Sequence, residues 1–158
     1  MCAELREIEA HIDLIYPADL PQLLVIEKES FLAPWTEGMF IGEINNPHSQ
    51  CLCVRVQCQC KNVIAAYIIF WLGPGEVHLH NLAVKKEFRR QHLATDLLDI
   101  MEEIAKKAAI DAITLEVRPS NTAAIELYRK RGFVVKGRRP NYYPETKEDA
   151  LIMWAYIK

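Results

Sequence analysis

Four stretches of this chain carry side chains whose types and spacing could do chemistry. The first is Asn81 to Leu98, NLAVKKEFRRQHLATDLL, which reads as a strand end, a basic loop and the first turns of a helix. Backbone N–H groups at a helix start have no intrahelical partner, and the helix dipole adds partial positive charge there. Such a loop is suited to holding phosphate. The second is Ala112 to Arg118, where Ile113, Leu115 and Val117 alternate with Thr114, Glu116 and Arg118. A carboxylate in the middle of a covered strand is suited to proton transfer, and reads equally well as a glutamate satisfied by an ion-pair partner or left at an edge. The third is the segment after it. Asn121 and Tyr128 lie seven residues apart and share a helix face, with the small Ala124 between them. Amide, gap and phenol in line suit a thin ligand laid along the helix, although helical Asn and Tyr also serve as core-edge residues. Glu76, His78 and His80 share one strand face and form a competing base or metal set, a pattern that is more often surface or packing.

The elements that must position these groups follow from periodicity. His11 to Tyr16 alternates as a first strand. Asp19, with Gln22 three residues on, reads as the cap of a helix carrying Leu20, Leu23, Leu24 and Glu27, and Pro34 ends that segment. Thr36 caps a second helix, Glu37 to Ile44, before the turn Asn45-Asn46-Pro47. Strands are expected over Gln50 to Gln57, Val63 to Leu72 (after a turn at Lys61-Asn62) and Glu76 to Val84 (after Gly73-Pro74-Gly75). Leu93, Ala94, Leu97, Leu98, Met101, Ile104, Ala105 and Ala108 then form one apolar helical stripe, with Glu102–Lys106 and Glu103–Lys107 on the other face in the favourable order. The strand Ala112 to Arg118 is followed by a helix from Asn121 to Arg131, closed by Gly132. Phe133 to Arg138 is a further strand, a polar loop holds Tyr142-Tyr143-Pro144, and Ala150 to Ile157 closes the chain. Strand, helix, strand around the basic loop implies a parallel pair in an otherwise antiparallel sheet. The fold class is therefore mixed α/β (α+β): a mostly antiparallel sheet, parallel at strands four and five, flanked by about four helices.

Composition narrows the field. At 158 residues the chain is expected to be one domain, residues 1–158, with 51% hydrophobic and 25% charged residues. A net charge of −2 gives no global pull toward nucleic acid or anionic membrane, so neither is an expected partner. The leading MCAELREIEAHID has no apolar core of a secretory signal, and Val63 to Leu72 is too short for a membrane span of about 20 residues. The reading is a cytoplasmic protein, monomeric or a weak dimer. Of five cysteines, Cys51 and Cys53 are expected on one face of a strand and Cys58 and Cys60 on the other, so four thiolates do not converge as zinc requires, and no metal is expected.

Motifs add a resemblance. Leu82-Ala83-Val84, followed by Arg89-x-x-x-x-Ala94 opening a helix, resembles motif A of the GNAT superfamily of acyl-CoA N-acyltransferases, usually Q/R-x-x-G-x-G/A. LEVRPSNTAAIELYRKRGF (residues 115–133), Glu29-Ser30-Phe31 with Pro34-Trp35, and Arg139-x-x-Tyr142-Tyr143 with Asp149-Ala150 resemble a narrower group, the RimI-type protein N-terminal acetyltransferases. The similarity covers almost the whole chain. It implies a GNAT fold and acetyl-CoA as co-substrate. It also implies that Leu82, Ala83 and Val84 pair with the pantetheine arm, and that Arg89, Arg90, Gln91, His92, Leu93, Ala94 and Thr95 hold the pyrophosphate. Asn121 would hydrogen-bond the cofactor, Glu116 occupy the general-base position and Tyr128 the general-acid position. Phe31, Trp35, Tyr142 and Tyr143 would lie where the acceptor peptide is gripped. The acceptor implied is a protein N-terminus, namely the N-terminal alanine of a small-subunit ribosomal protein. One departure stands out: His92 replaces the first motif glycine, although histidine is among the residues that tolerate the left-handed conformation. Other readings are a GNAT acting on lysine side chains or a small amine, and a non-catalytic acyl-CoA-binding module. A P-loop enzyme lacks its G-x-x-x-x-G-K-[ST] here.

Overall fold

The computed structural model describes residues 9–158. The reading of the first eight residues, and Cys2 with it, lies outside the described residues. In chain order the strands are β1 (Ala10–Leu14), β2 (Ser49–Cys58), β3 (Lys61–Leu72), β4 (Val77–Val84), β5 (Ala112–Val117), β6 (Val134–Tyr143) and β7 (Glu148–Tyr156). The helices are α1 (Leu20–Ser30), α2 (Glu37–Ile44), α3 (Leu93–Lys107) and α4 (Thr122–Lys130). The sheet has the order β1-β2-β3-β4-β5-β7-β6, with β4 and β5 parallel as the strand–helix–strand pattern requires. Among the described residues no helix is long and apolar enough to cross a membrane. The chain divides into two compact units: residues up to Phe70 with Asn81–Met101, and Trp71–His80 with Glu102–Lys158.

In the first unit, β1 pairs antiparallel with β2, Ile12 opposite Val54. Gln59 and Cys60, both at positive φ (+47° and +67°), make the two-residue turn into β3. Such a turn matches the twist of its strands. The turn was expected two residues later, at the asparagine. Strand register, imposed by buried runs such as Ile64–Phe70, outweighs local turn preference. Cys60 therefore sits exposed at the turn rather than on a strand face, while Cys51 and Cys53 are buried free thiols. Among the described residues no group of three or more His, Cys, Asp or Glu is placed to hold a metal. Thr36 Oγ1 accepts the Met39 N–H at 3.3 Å and caps α2. Asp19 does not cap α1 with its side chain. It ends a short 3-10 turn, accepts the Tyr16 N–H at 2.7 Å, and pairs with the nearly buried Arg55 at 2.6 Å. A guanidinium is the stronger partner, and it comes from β2 rather than from the neighbouring turn. Leu23, Ile26, Phe40, Ile64, Tyr67 and Ile69 form the centre of this unit's core.

In the second unit, Gly73 N–H donates to Glu76 O at 3.0 Å and Gly75 takes φ +90°, closing the tight turn before β4. Val77 lies opposite Ile113 and Leu79 opposite Leu115 across the parallel pair. β5 continues into an antiparallel pair with β7, Glu116 opposite Ile152. Glu102 bonds Arg131 at 2.7 Å rather than the lysine one turn on. Gly132 at φ +86° ends α4, and Phe133 N–H reaches back to Tyr128 O at 3.0 Å. The expected loop around Tyr142-Tyr143 is strand. β6 passes an irregularity after Arg139, with Asn141 at φ +50°, and pairs again at Tyr143 opposite Glu148. Pro140 and Asn141 look like turn residues, yet a bulge accommodates both without ending the strand.

Candidate active site

The expected phosphate-binding stretch lies in the first unit. Along the end of β4, Asn81 and Ala83 are buried while Leu82 and Val84 are half-exposed, so alternate residues keep an accessible side. The chain then turns through Lys86–Phe88, pinned by the fully buried Phe88. Arg89 folds back, its Nε donating to Val84 O at 3.1 Å and its Nη2 to Ser30 Oγ at 3.3 Å. Arg90 and His92 both have positive φ (+63° and +64°), with Gln91 between them. This alternation turns successive N–H groups toward one side, the geometry of an anion nest. His92 therefore takes the backbone conformation for which glycine was expected, and its carbonyl receives Asp96 N–H at 3.0 Å as α3 begins. Leu93 is buried and anchors the helix, with Ala94 and Thr95 half-exposed in its first turn.

The segment expected to grip the acceptor, in the same unit, is organised by a residue that the sequence placed on the first helix without giving it a role. Glu27 is fully buried, with one oxygen accepting from both Tyr67 Oη and Asn81 Nδ2 and the other from Trp35 N–H at 2.8 Å. α1, β3, β4 and the α1–α2 connection thus meet at one carboxyl group. Phe31 and Trp35 are half-buried against the core, Trp35 tilted onto Phe40 at 5.4 Å, while Leu32 is exposed. The available signal was spacing: Glu27 falls on the apolar stripe of α1, where a carboxyl needs partners.

In the second unit two sets of base candidates turn out to be one cluster. His78 lies opposite Thr114 in the β4–β5 register, and Glu116 is two residues further along β5 on the same face. His78 Nε2 is 2.6 Å from Glu116 Oε2, and Arg139 Nε is 3.2 Å from Glu116 Oε1. The Glu116 side chain is 10% exposed. Its carboxyl is held below the usual range first by the His78 hydrogen bond, against the opposing effect of burial, and further by the charges of His78, Arg139 and His80. The rings of His78 and His80 stack at 4.3 Å, and His80 packs against Trp71 at 4.2 Å. Glu76, the third member of that set, is half-buried one residue before β4 rather than on it.

Tyr128 is buried, its ring 5.5 Å from Phe133. Burial first, then the neighbouring Tyr143, holds its hydroxyl well above the usual phenol range. Tyr143 is itself pushed up to about 12, mainly by burial, then by Tyr142, with Glu116 among the nearby charges. Tyr143 is thus close enough to sense both Tyr128 and Glu116. Arg118 stacks over the Tyr143 ring at 4.2 Å and donates to Thr146 at 2.9 Å, and Tyr142 meets Tyr143 edge-on at 5.0 Å. Asn121 caps α4: its Oδ1 accepts Ala124 N–H at 3.2 Å, leaving the amide NH2 as its donor. Of the expected site residues, then, Tyr143 lies within electrostatic reach of both Glu116 and Tyr128, and Asn121 stands at the exposed start of α4. Arg139 and Arg118 were not among the expected site residues. Both stand in the quoted motifs, but their partners lie 23–28 residues away along the chain, so spacing alone gave them no role.

A model of the acetyltransferase (GNAT) family matches residues 20–133. The [ribosomal protein bS18]-alanine N-acetyltransferase of Escherichia coli (strain K12) is 34% identical over 144 residues, which cover 90% of this chain and 94% of that protein. The protein of the same name from Haemophilus ducreyi is 36% identical over 149 residues, 92% of this chain and 99% of that one. The crystal structure of the ribosomal-protein-S18-alanine N-acetyltransferase from Escherichia coli matches with a TM-score of 0.81 at 33% identity, over 95% of each chain.

Proposed function

The chain belongs to the acetyltransferase (GNAT) family, and from that premise we propose that it transfers the acetyl group of acetyl-CoA to a protein N-terminus, the acceptor being the N-terminal alanine of ribosomal protein bS18. The observation that carries this reading is the match to bS18-alanine N-acetyltransferases at 34% and 36% identity over nine-tenths of the chain. Residues 1–158 act as one catalytic domain, in the cytoplasm.

The CoA pyrophosphate is assigned to the Arg89–Thr95 segment, supported by the left-handed Arg90 and His92 and the free N–H groups of the α3 start. Leu82, Ala83 and Val84 present the strand for the pantetheine arm, and the Asn121 NH2 is a further donor to the cofactor. Acetyl-CoA supplies the activated acyl group. Glu116 acts on the base side and Tyr128 on the acid side. An α-amine with a pKa of about 8 is roughly one-tenth neutral near pH 7, whereas a lysine at about 10.4 is neutral in well under one molecule in a thousand. A base of ordinary strength thus serves the first and not the second. A thiol loses its proton at about 8.5, and burial holds Tyr128 above the ordinary phenol value of about 10, so full donation from Tyr128 runs uphill. Its hydroxyl works as a hydrogen-bond donor to charge developing on sulfur. Phe31, Trp35, Tyr142 and Tyr143 are assigned to the acceptor peptide.

The experiment is an acetyl-CoA assay on a peptide panel with free or blocked N-termini and a varied first residue. Acetylation of free Ala-starting peptides, and none of blocked ones, is expected. Equal labelling of blocked peptides at lysine would overturn the α-amine acceptor in favour of a side-chain acetyltransferase.

A further inference from the structure

Resting on that acetyltransferase reading, we infer that Glu27 is a positioning residue for the acceptor: from inside the core, its carboxyl holds residues 32–35 in the shape that receives the peptide. That stretch has little else to order it. α1 ends where Phe31 N–H donates to Glu27 O at 2.9 Å, and α2 begins beyond the Thr36 cap. Between them Pro34 has no N–H to give, and Leu32 is 73% exposed, so burial does not hold it. Among the described residues, the bond from Trp35 N–H to Glu27 Oε2 at 2.8 Å is the one hydrogen bond that ties residues 32–35 to the rest of the chain.

The other end of this tether is anchored in the sheet. Glu27 has no exposed surface, and its Oε1 accepts from Tyr67 Oη of β3 and Asn81 Nδ2 of β4. Tyr67 is itself fully buried and Asn81 is buried, so neither donor can turn to water instead. Burial first, then the neighbouring Glu27, holds the Tyr67 hydroxyl far above the usual phenol range, which keeps it a donor. Three donors thus converge on two oxygens, a set that suits a group able only to accept. A leucine would fill the same place on the apolar stripe of α1. What the carboxyl adds is a fixed position for the Trp35 backbone, and with it for the Phe31 and Trp35 side chains assigned to the acceptor. A segment already ordered loses less freedom when a peptide docks, so the tether should register in acceptor affinity. Being fully buried, Glu27 touches neither substrate and acts through Trp35.

The test uses the full chain, acetyl-CoA and a free Ala-starting peptide, with kcat counted per folded molecule. Glu27→Leu removes the tether and is expected to raise peptide KM about tenfold, the worth of one hydrogen bond, with kcat and the acetyl-CoA dissociation constant within about threefold of wild type. Glu27→Gln is the conservative rescue. Its amide oxygen can still take Trp35 N–H, while the Tyr67 hydroxyl and the Asn81 amide turn to accept from its NH2. Peptide KM should then stay within about twofold of wild type, and likewise in Tyr67→Phe, which loses a core hydrogen bond but leaves the Trp35 tether. A lowered Tm alone moves none of these KM values. Amide exchange followed by NMR reads the tether in the wild type, without any variant: Trp35 N–H is expected to exchange at least about tenfold more slowly than Leu32 N–H. Equal exchange at the two amides would overturn the inference. So would a Glu27→Leu peptide KM within about twofold of wild type, or an equal rise in Tyr67→Phe. A wild type that acetylates no free N-terminus is a different failure: it would remove the function reading, and this role for Glu27 with it, even with Trp35 protected.

Discussion

Replacing Arg139 by glutamine tests the electrostatics of the Glu116 cluster most directly. Its Nε stands 3.2 Å from Glu116 Oε1, but its side chain is 56% exposed while that of Glu116 is 10% exposed. Coulomb's law gives about 1 kcal/mol for unit charges 4 Å apart in water and about 4 kcal/mol at an effective dielectric of 20. The exposed guanidinium places this pair toward the watery end, where pairs contribute about 0.2–1 kcal/mol. At 1.36 kcal/mol per pKa unit, losing the cation is worth about 0.2–0.7 unit. The sign follows from which form the cation favours. Arg139 stabilises ionised Glu116, so the glutamine variant raises the carboxyl's pKa. The acidic limb of kcat against pH is therefore expected to move up by about half a unit at low ionic strength. At about 0.5 M salt the Debye length falls to roughly 4 Å, and the difference between the enzymes should shrink. A limb that stays put, or moves to lower pH, would refute the assignment of Arg139 as the cation that keeps Glu116 ionised.

Other perturbations address the remaining parts. In His92→Gly the backbone at φ +64° no longer carries a side chain in a region that disfavours one by roughly 1–2 kcal/mol, and acetyl-CoA is expected to bind several-fold more tightly by calorimetry. Unchanged or weaker binding would show that histidine is no handicap there. Tyr128→Phe should lower turnover and leave the acetyl-CoA dissociation constant nearly intact, because the role proposed for the hydroxyl is confined to the leaving sulfur; a large loss of binding would make Tyr128 a cofactor residue instead. Glu27→Leu strands the Tyr67, Asn81 and Trp35 donors in the core, which should destabilise the protein by about 3 kcal/mol or more. For a chain of this size that is a drop in Tm of about 6–12 °C by calorimetry, and a Tm within about 2 °C of wild type would contradict the network described.

Much of the architecture was legible because its signals are local. The Thr36 cap, the Gly132 stop and the α3 stripe each depend on spacings of one or two helical turns, and each stands where periodicity and capping rules put it, the stripe ending at Ala105 because Ala108 is exposed past the helix. The change from strand to basic loop to helix at residues 81–98 belongs to the same class, down to the left-handed backbone at His92. Errors fell where local and long-range preferences compete. Pro140 and Asn141 look like a loop, yet β7 pairs β6 through to Tyr143. Asp19 looks like a cap, yet Arg55, 36 residues away, takes its carboxylate.

The sequence alone determined the fold class, the strand–loop–helix layout of residues 81–98 and the family, because hydrophobic period, capping residues and motif order are written along the chain. It also named Glu116 and His78, but as rivals. Only the tertiary structure made them partners: strand register brings together two side chains 38 residues apart, and Arg139 completes the set from a third strand. Glu27 has the same origin, collecting donors from positions 8, 40 and 54 residues away. Linear spacing says which face a side chain takes on its own element. Which strand lies next to it, and in what register, is settled by burial of the whole core, and that decides the chemistry of the charged group.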